Sequence, residues 1–386
     1  MFVRSRASTL AALFIAGFGT FVNLYATQPL LPQFRQLFRA SELLVSLTVS
    51  APILAVALTA PLIGLLSDAL GRKRVIVAAL LGLTLPTALA GTAAGLGQLI
   101  LWRFLQGLFI PGIVAVTMAY VSEESPSESV GLTMATYVTG NVVGGFAGRF
   151  IAGLTATWWS WRGVFAILSA VTFAAALATW RLLPRPNKFV RQRDVAAALR
   201  SMGMHLRNRE LLATYAVGFT VLFTIVAAFT YVNFYLADRP FFLGPAALSS
   251  IFAVYLIGAV ITPPAGHVID RIGHRRALVG AIGMSAAGML LTLIHFIPVI
   301  IAGLALEASG VFACQSASSS HVGSAAGHAR SSAAGLYVSF YYLGGSTGSI
   351  LPGILWERTG WFGCVATILC MQCLTLLIAN KFWRDR

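Results

Sequence analysis

The sequence predicts an all-α membrane protein whose twelve transmembrane helices form two six-helix bundles related by pseudo-two-fold symmetry. Three observations predict this class. Of 386 residues, 58% are hydrophobic and only 10% are charged, whereas average soluble domains carry about 25% charged residues. Twelve apolar segments follow one another along the chain, and the second six repeat landmarks of the first six. The charges are too few to coat a soluble protein, so a soluble enzyme, a disordered chain and a small disulfide scaffold are excluded.

Each apolar segment is long enough to cross a bilayer as a helix, which takes about 20 residues. The third and fourth segments, like the ninth and tenth, are separated only by tight hairpins. We predict two spans in each case, because a merged pair of over about forty residues would be too long for one span. The predicted spans are 8–32, 43–66, 75–96, 98–121, 130–155, 161–183, 211–236, 244–268, 277–296, 298–320, 331–355 and 360–382.

Basic residues predict the orientation. With both termini in the cytoplasm, 20 of the 27 Lys and Arg residues fall on the cytoplasmic side, 5 on the outside and 2, Arg103 and Arg149, within spans. This bias is typical of cytoplasmic loops, so the net charge of +15 is assigned to membrane-facing loops and not to nucleic-acid binding. The first apolar stretch runs to about Leu31, beyond the length of a signal-peptide core, and is predicted as a retained span.

A basic connector divides the chain near its midpoint. The predicted organisation is an N-terminal six-helix bundle at 1–183, a cytoplasmic connector at 184–210 and a C-terminal six-helix bundle at 211–386. Within the connector, an interfacial helix is predicted from Val190 to Leu206, because Val195, Leu199 and Met202 recur at helical spacing.

The two halves repeat each other at offsets of 200 to 210 residues. VNLYATQPL at 22–30 corresponds to VNFYLADRP at 232–240, and the loop sequence at 64–74 corresponds to that at 266–276. Gly131, Tyr137, Gly140 and Gly144 recur at Gly335, Tyr341, Gly344 and Gly348. Parallel repeats about an axis along the membrane normal are typical of alternating-access transporters.

These residues carry a family resemblance. The loop GLLSDALGRKR at 64–74, its repeat, Arg103-x-x-Gln106-Gly107 in span four and the glycine run of span five resemble the major facilitator superfamily over the whole chain. Within it, the chain looks most like bacterial proton-coupled drug and metabolite efflux permeases. It departs from the usual antiporter pattern of span five at two positions, since Gly145 stands where Pro is normal and Arg149 where Gly is normal.

The resemblance implies that the loop after span two, and its repeat, switch the conformation. Asp68 and Asp270 lie at the cytoplasmic end of a span, where a carboxylate can accept from free helix N-terminal amides and pair with Arg across the halves. A purely topogenic charge cluster is the alternative. The switch residues are Gly64, Asp68, Gly71, Arg72, Arg74, Gly266, Asp270, Arg271, Gly273 and Arg275.

Two charged residues at membrane depth are candidates for proton coupling. A charge there is costly and must face a cavity or a partner. The family links the Arg of the span-four motif, here Arg103, to proton coupling or substrate charge. Glu307 is the acid placed well inside a span, and desolvation favours its neutral form. A structural pair of Glu307 with Arg149 or Arg103 is the alternative, and Arg149 itself is interpreted as a possible snorkelling side chain.

Glycines and polar residues complete the predicted site. The glycine spacing allows close helix contact, and the resemblance adds a hinge role. The packing and hinge residues are Gln106, Gly107, Gly140, Gly144, Gly145, Gly148, Gly344 and Gly348. Because spans one, four, seven and ten line the cavity in this fold, polar residues at membrane depth are predicted to contact substrate, with helix–helix hydrogen bonds as the alternative. They are Asn23, Tyr25, Gln28, Tyr137, Asn141, Asn233, Tyr235, Gln315 and Tyr341.

The predicted function is a secondary active transporter that moves a small solute by alternating access, with proton antiport and efflux as the leading mode. A facilitator or a proton symporter for a sugar or organic anion is the alternative, and a membrane sensor or a membrane enzyme is a further one. No catalytic cluster, metal-ligand spacing or nucleotide-binding loop is found in the sequence, so the expected energy source is a proton gradient without a cofactor. The expected location is the bacterial cytoplasmic membrane, with both termini cytoplasmic, as a monomer.

Overall fold

The computed structural model describes residues 6–126, 129–185, 195–326 and 330–383. Within these ranges the chain is helical almost throughout, and its fourteen α-helices are α1 (Arg6–Leu24), α2 (Leu31–Phe38), α3 (Glu42–Leu70), α4 (Arg72–Ala90), α5 (Leu96–Glu124), α6 (Val130–Trp158), α7 (Trp161–Leu182), α8 (Val195–His205), α9 (Arg209–Ala237), α10 (Pro245–Ile251), α11 (Ile257–Ile272), α12 (His274–Leu291), α13 (Ile297–Ala325) and α14 (Arg330–Phe382). A kink at Gly360, with φ of 54°, divides α14 into two arms. These arms are the predicted spans eleven and twelve.

Eight segments of the described chain are long and apolar enough to cross a membrane, with both arms of α14 counted as one segment. The other predicted spans are α6, α12 and the pair α10 and α11. Glycines and an arginine lower the hydropathy of α6, basic residues begin α12, and α10 and α11 are separate helices. The all-α, twelve-helix prediction is confirmed.

Two predicted spans differ from the observed elements. Span one is interrupted, since α1 ends at Leu24 and a 3₁₀ turn at Gln28–Leu30 precedes α2. Prolines 29 and 32 explain this interruption, because proline lacks the amide hydrogen that a continuous helix needs. Span eight is likewise interrupted by a 3₁₀ helix at Phe252–Leu256. The connector helix is described from Val195 to His205, and its predicted start at Val190 falls among residues 186–194, which lie outside the described part of the chain.

Glycine rows fix how the helices pack. A Cβ on Gly140 or Gly144 of α6 would collide with backbone atoms of α1, and a Cβ on Gly148 would collide with the carbonyl oxygen of Val22. In the second half, Gly344 and Gly348 hold α14 against the backbone of α9 in the same manner. Small residues at four-residue spacing thus bring two helix backbones together in each half.

The two halves meet along a seam between residues 6–185 and 209–383. We call the end of the bundle that holds α8 the connector end, and the other end the opposite end. At the opposite end, Arg35 of α2 pairs with Asp238 after α9, with 2.6 Å between Nη2 and Oδ1. Deeper in the seam, the hydroxyls of Ser50 and Ser346 lie 2.7 Å apart. Polar contacts therefore join the halves from the opposite end inward.

Candidate functional site

Arg149 lies at the centre of the seam. Its side chain is 1% exposed, although α6 places it among apolar helices. Its Nε donates to Oε1 of Gln28 at 2.7 Å, and its Nη1 donates to the carbonyl oxygen of Gly145 at 2.8 Å. Nε2 of the same Gln28 donates to the hydroxyl of Thr230 in the second half at 3.2 Å. The guanidinium is thus bound by two oxygen acceptors of the first half, and one of the two acceptor residues, Gln28, also contacts the second half.

Three aromatic rings surround this guanidinium. Its Cζ atom lies 4.7 Å from the ring centroid of Tyr25, 4.7 Å from that of Phe252 and 4.5 Å from that of Tyr255. Such distances are within the range of cation–π attraction. Because Tyr25 belongs to the first half and the other two rings to the second, the cation bridges the halves.

The residues around Arg149 come from the two helix interruptions. Tyr25 and Gln28 lie between α1 and α2, and Phe252 and Tyr255 lie in the 3₁₀ helix between α10 and α11. Helix ends leave backbone amide and carbonyl groups without intrahelical partners. Interrupted transmembrane helices are a recurring way of building solute sites in transporters. The interruptions, one from each half, meet at Arg149.

More tyrosines continue the seam toward the connector end. Tyr341 and Tyr342 of α14 contact each other edge to face at 5.5 Å. Tyr341 lies within electrostatic range of Tyr25 and Tyr255, and Tyr342 within range of Tyr25 and Tyr137. The structure therefore places Tyr25, Tyr137 and Tyr341, three of the predicted substrate contacts, in one region of the seam. Gln28 joins them through Arg149.

Arg103 is also fully buried but lies inside the first half. Its guanidinium donates to the backbone carbonyl oxygens of Asn23 at 2.9 Å, Leu24 at 2.5 Å and Thr48 at 2.9 Å, and to the side chain of Gln106. The first two oxygens belong to the C-terminal end of α1, where the helix leaves carbonyls free. These contacts hold the interruption of span one in place. The structure does not bring Arg103 together with Glu307.

Other predicted substrate contacts also lie within a half. Asn23 is fully buried and bonds the hydroxyls of Thr87 and Thr172, so it links three helices of the first half. Asn233 donates to the carbonyl of Phe229 on its own helix. Tyr235 stacks on Trp361 at 5.3 Å. Asn23 therefore makes the helix–helix hydrogen bonds that the sequence left open as an alternative, whereas Asn233 bonds within its own helix and Tyr235 packs on a ring of α14.

Two further predicted contacts have partial exposure. Asn141 of α6 is half-buried, with its Oδ1 close to Gly17 of α1. Gln315 of α13 is half-buried too, and its backbone carbonyl accepts from Ser318. Gly107 packs closely on the backbone of Pro52 in α3. Asn141 therefore lies where α6 contacts α1, and Gly107 lies where α5 contacts α3. Both contacts are within the first half.

Glu307 lies on α13 in the second half with 0% exposure. Neither of its carboxyl oxygens has a hydrogen-bond partner among the residues that the structure describes. It lies within electrostatic range of Tyr255, Cys314 and Cys364. The structural pair with Arg149 or Arg103 is not observed in the described chain. Tyr255 lies within electrostatic range of both the carboxyl of Glu307 and the guanidinium of Arg149.

The two predicted switch loops share their turn geometry. Gly71 has φ of 94° and Gly273 has φ of 85°, a conformation that favours glycine, and each precedes the next helix. Arg72 is buried and its guanidinium contacts Glu123 through Nη2 at 2.6 Å and Nε at 3.1 Å, so it joins α4 to α5. Arg275 donates to Asn380.

The other switch residues are described only in part. Arg74 and Arg271 are exposed. The side chains of Asp68 and Asp270, and the surroundings of Gly64 and Gly266, lie outside the described part of the structure. The switching role of the two loops stays a prediction.

Sequence reasoning missed Phe252 and Tyr255, and it gave Arg149 only a snorkelling role or a structural pair with Glu307. The signal for Arg149 was present, because it replaces the glycine that is normal at this position of span five. Phe252 and Tyr255 lie in a long apolar stretch, and no motif marks them. They become part of the site only because α10 and α11 cross α6.

A bundle of transmembrane helices in two repeated halves, with a buried polar site where they meet, defines a membrane transporter. The chain belongs to the major facilitator superfamily, whose family model matches residues 13–240 and 239–386. It is a transporter and not an enzyme, and the family expected from the sequence is confirmed.

Relatives agree with this assignment. The chain is 34% identical to the inner membrane transport protein YnfM of Escherichia coli, over 97% of this chain and 90% of YnfM. It is 30% identical to the multidrug resistance protein MdtG of Proteus mirabilis, over 59% of this chain and 58% of MdtG. A bacterial homologue of the human lysosomal transporter Spinster, crystallised in an inward-facing and unoccupied conformation, shares the fold with a TM-score of 0.79 and 16% identity, over 99% of this chain and 98% of that chain.

Proposed function

We propose that this protein is a proton-coupled secondary transporter that exports a small solute across the bacterial cytoplasmic membrane by alternating access. The observation that carries the proposal is the carboxyl of Glu307, which is fully buried and has no hydrogen-bond partner among the described residues. An ionised carboxylate in such surroundings is strongly disfavoured. Glu307 therefore holds a proton until water or a charge reaches it, which is the property that coupling requires.

A cavity inside the second half supports an access path for that proton. Its lining includes Thr224, Cys314 and Gln372, and it has room for about one water molecule. Cys314 lies two helical turns from Glu307 on the same face of α13, toward the connector end. The hydroxyl of Thr224 and Oε1 of Gln372 are buried without partners in the described chain, so water there would be bound. Protons would reach Glu307 from the connector end, apart from the seam.

Direction and orientation rest on different support. The multidrug resistance name of the MdtG relative favours export, and the distribution of basic residues favours a cytoplasmic connector end and cytoplasmic termini. Single cysteines at positions 5, 195 and 384, in a background without native cysteines, should resist an impermeant thiol reagent applied to intact cells. Labelling at any of these positions would contradict the orientation.

A proton symporter for an organic anion is the second candidate. The observation that favours it is Arg149, a buried cation at the seam, which would attract an anionic solute. The two candidates differ in the direction of proton movement relative to the solute, and one vesicle assay separates them.

The test uses inverted membrane vesicles with an imposed pH gradient, followed by acridine orange fluorescence. Each of a panel of aromatic carboxylates, aromatic amines and sugars is added in turn. Wild type should dissipate the gradient with at least one solute, Glu307→Gln with none, and Glu307→Asp in part. Solute exchange without a gradient should survive in Glu307→Gln, because the amide fills the same space.

Glu357→Gln is the matched control, since Glu357 is an exposed acid at the end of the first arm of α14. It should behave as wild type. Full coupling in Glu307→Gln would make Glu307 structural. A wild type that equilibrates a solute without moving protons would be a facilitator.

A further inference from the structure

We propose that Arg149 binds the anionic group of the transported solute, and that the solute is an organic anion with an aromatic or other flat apolar part. The inference rests on the proposed transport function and adds the chemical class of the substrate. It concerns the site between the two helix interruptions, formed by Arg149, Tyr25, Gln28, Phe252 and Tyr255.

The first argument is charge. Arg149 is 1% exposed, and its observed acceptors are an amide oxygen and a backbone carbonyl oxygen, both uncharged. No carboxylate lies within ion-pair distance of it among the residues described. A buried cation is costly unless an anion or several hydrogen bonds compensate it. Arg103, by comparison, donates to four oxygens. The missing counter-charge at Arg149 is one that a solute can supply.

The second argument concerns the aromatic rings that pack on the guanidinium of Arg149. Two of its three aromatic neighbours, Phe252 and Tyr255, belong to the second half, so separation of the halves removes them. The planar fork of arginine then faces open space and can bind a carboxylate, phosphate or sulfonate. A flat apolar group on the solute would occupy the position that these rings leave.

The third argument is the placement of the side chain on its own helix. Nη1 of Arg149 donates to the carbonyl of Gly145 one turn earlier, and an added Cβ at Gly145 would lie only 3.4 Å from Nη1. The guanidinium therefore lies back along the helix over a residue without a side chain. These two residues are the two departures from the usual pattern of span five, and the structure joins them in one contact.

The test measures binding to the purified full-length protein in detergent, by the rise in thermal unfolding temperature that a native-state ligand produces. The probes share one ring system and differ in charge: indole-3-acetate, indole-3-acetamide and tryptamine. A panel of benzoate, phenylphosphonate and naphthalene-2-sulfonate extends the anion set. One or more of the anions should raise the unfolding temperature of the wild type. The acetamide and the amine should need at least tenfold higher concentrations to give the same rise.

Variants assign the effect to the site. Arg149→Gln should weaken anion binding at least tenfold, Arg149→Lys should retain part of it, and Tyr255→Leu should weaken it without changing the preference for anions. Arg162→Gln is the matched control, because Arg162 also lies over an aromatic ring, that of Trp161, but is exposed and outside the seam. It should bind as wild type.

Three results would overturn the proposal: equal stabilisation of wild type by the amine and the acetate, wild-type anion affinity in Arg149→Gln or Tyr255→Leu, or no stabilisation of wild type by any anion of the panel. Since binding is measured without a gradient, the outcome is independent of Glu307. Anion binding lost in Arg149→Gln but kept in Glu307→Gln separates this site from the coupling proposal. Failure of either leaves the other open to its own test.

Discussion

The two fully buried arginines of the first half, Arg103 and Arg149, have opposite surroundings. Both side chains are at most 1% exposed, and both come from transmembrane helices. Arg103 donates to four oxygens, all within the first half, whereas Arg149 donates to two and completes its surroundings with rings from the second half. One arginine stabilises a half and the other connects two halves.

This difference shows that burial of a charge does not by itself identify a functional site. The family resemblance links Arg103 to proton coupling or substrate charge, whereas the sequence gives Arg149 only a snorkelling role or a structural pair with Glu307. The observed contacts favour the opposite assignment, with Arg149 and not Arg103 as the arginine at the functional site. A charge whose partners all lie in one rigid unit is unchanged when the halves move, but a charge whose partners lie in both changes its surroundings in every transport cycle.

The largest effect is expected from Arg103→Gln. Three backbone carbonyls would lose a charged donor in a fully buried place, and such losses cost about 1–3 kcal/mol for each group left unsatisfied. The variant should therefore lose folded protein or several degrees of unfolding temperature, as measured by size-exclusion chromatography after heating. Arg149→Gln should lose far less stability. Equal losses in the two variants would contradict the distinction drawn between them.

A smaller effect is expected from the glycines that place Arg149. A Cβ on Gly148 would collide with the carbonyl oxygen of Val22 on α1, a backbone atom that cannot move alone, whereas a Cβ on Gly145 meets only the flexible end of Arg149. Gly148→Ala should lower the unfolding temperature clearly and Gly145→Ala should leave it nearly unchanged. Equal unfolding temperatures for the two alanine variants would show that α1 and α6 are not held in contact by Gly148.

How far the sequence predicts this molecule depends on whether a feature is local. The turn glycines Gly71 and Gly273 are predicted from their loops and found with positive φ, because a tight turn before a helix is a local requirement. The eight segments that are long and apolar enough to cross a membrane follow from a local apolar length. The interruption of span one also has a local signal, its prolines Pro29 and Pro32, but a count of spans by apolar length does not use it.

The seam is not local, and the sequence predicts only some of its residues, such as Tyr25 and Gln28. The 3₁₀ helix at Phe252–Leu256 contains no proline, and nothing nearby marks Tyr255 as a partner of Arg149. Their meeting depends on how α10 and α11 cross α6, about 100 residues away in the chain. Residue types at membrane depth can be listed from the sequence, but the choice between seam and interior needs the packing.

The smallest effect concerns the second cation of the seam, Arg35. It pairs with Asp238 of the other half at 2.6 Å and with Glu42 of its own half at 2.8 Å, and its side chain is 22% exposed. Partly exposed ion pairs contribute about 1 kcal/mol or less. Asp238→Asn should therefore leave the free energy of unfolding almost unchanged. It should raise the population in which the halves separate at the opposite end by up to about fivefold, since about 1 kcal/mol shifts an equilibrium by that factor.

The separation is measured at Thr230, which is fully buried beside Gln28. Thr230 is replaced by cysteine in a background without native cysteines, and the rate at which an impermeant maleimide labels this cysteine reports the separation. Glu42→Gln removes the partner within the same half and should change that rate much less. If both variants label at the wild-type rate, Arg35 does not hold the halves together, and Arg149 with its rings is left as the cation that joins them.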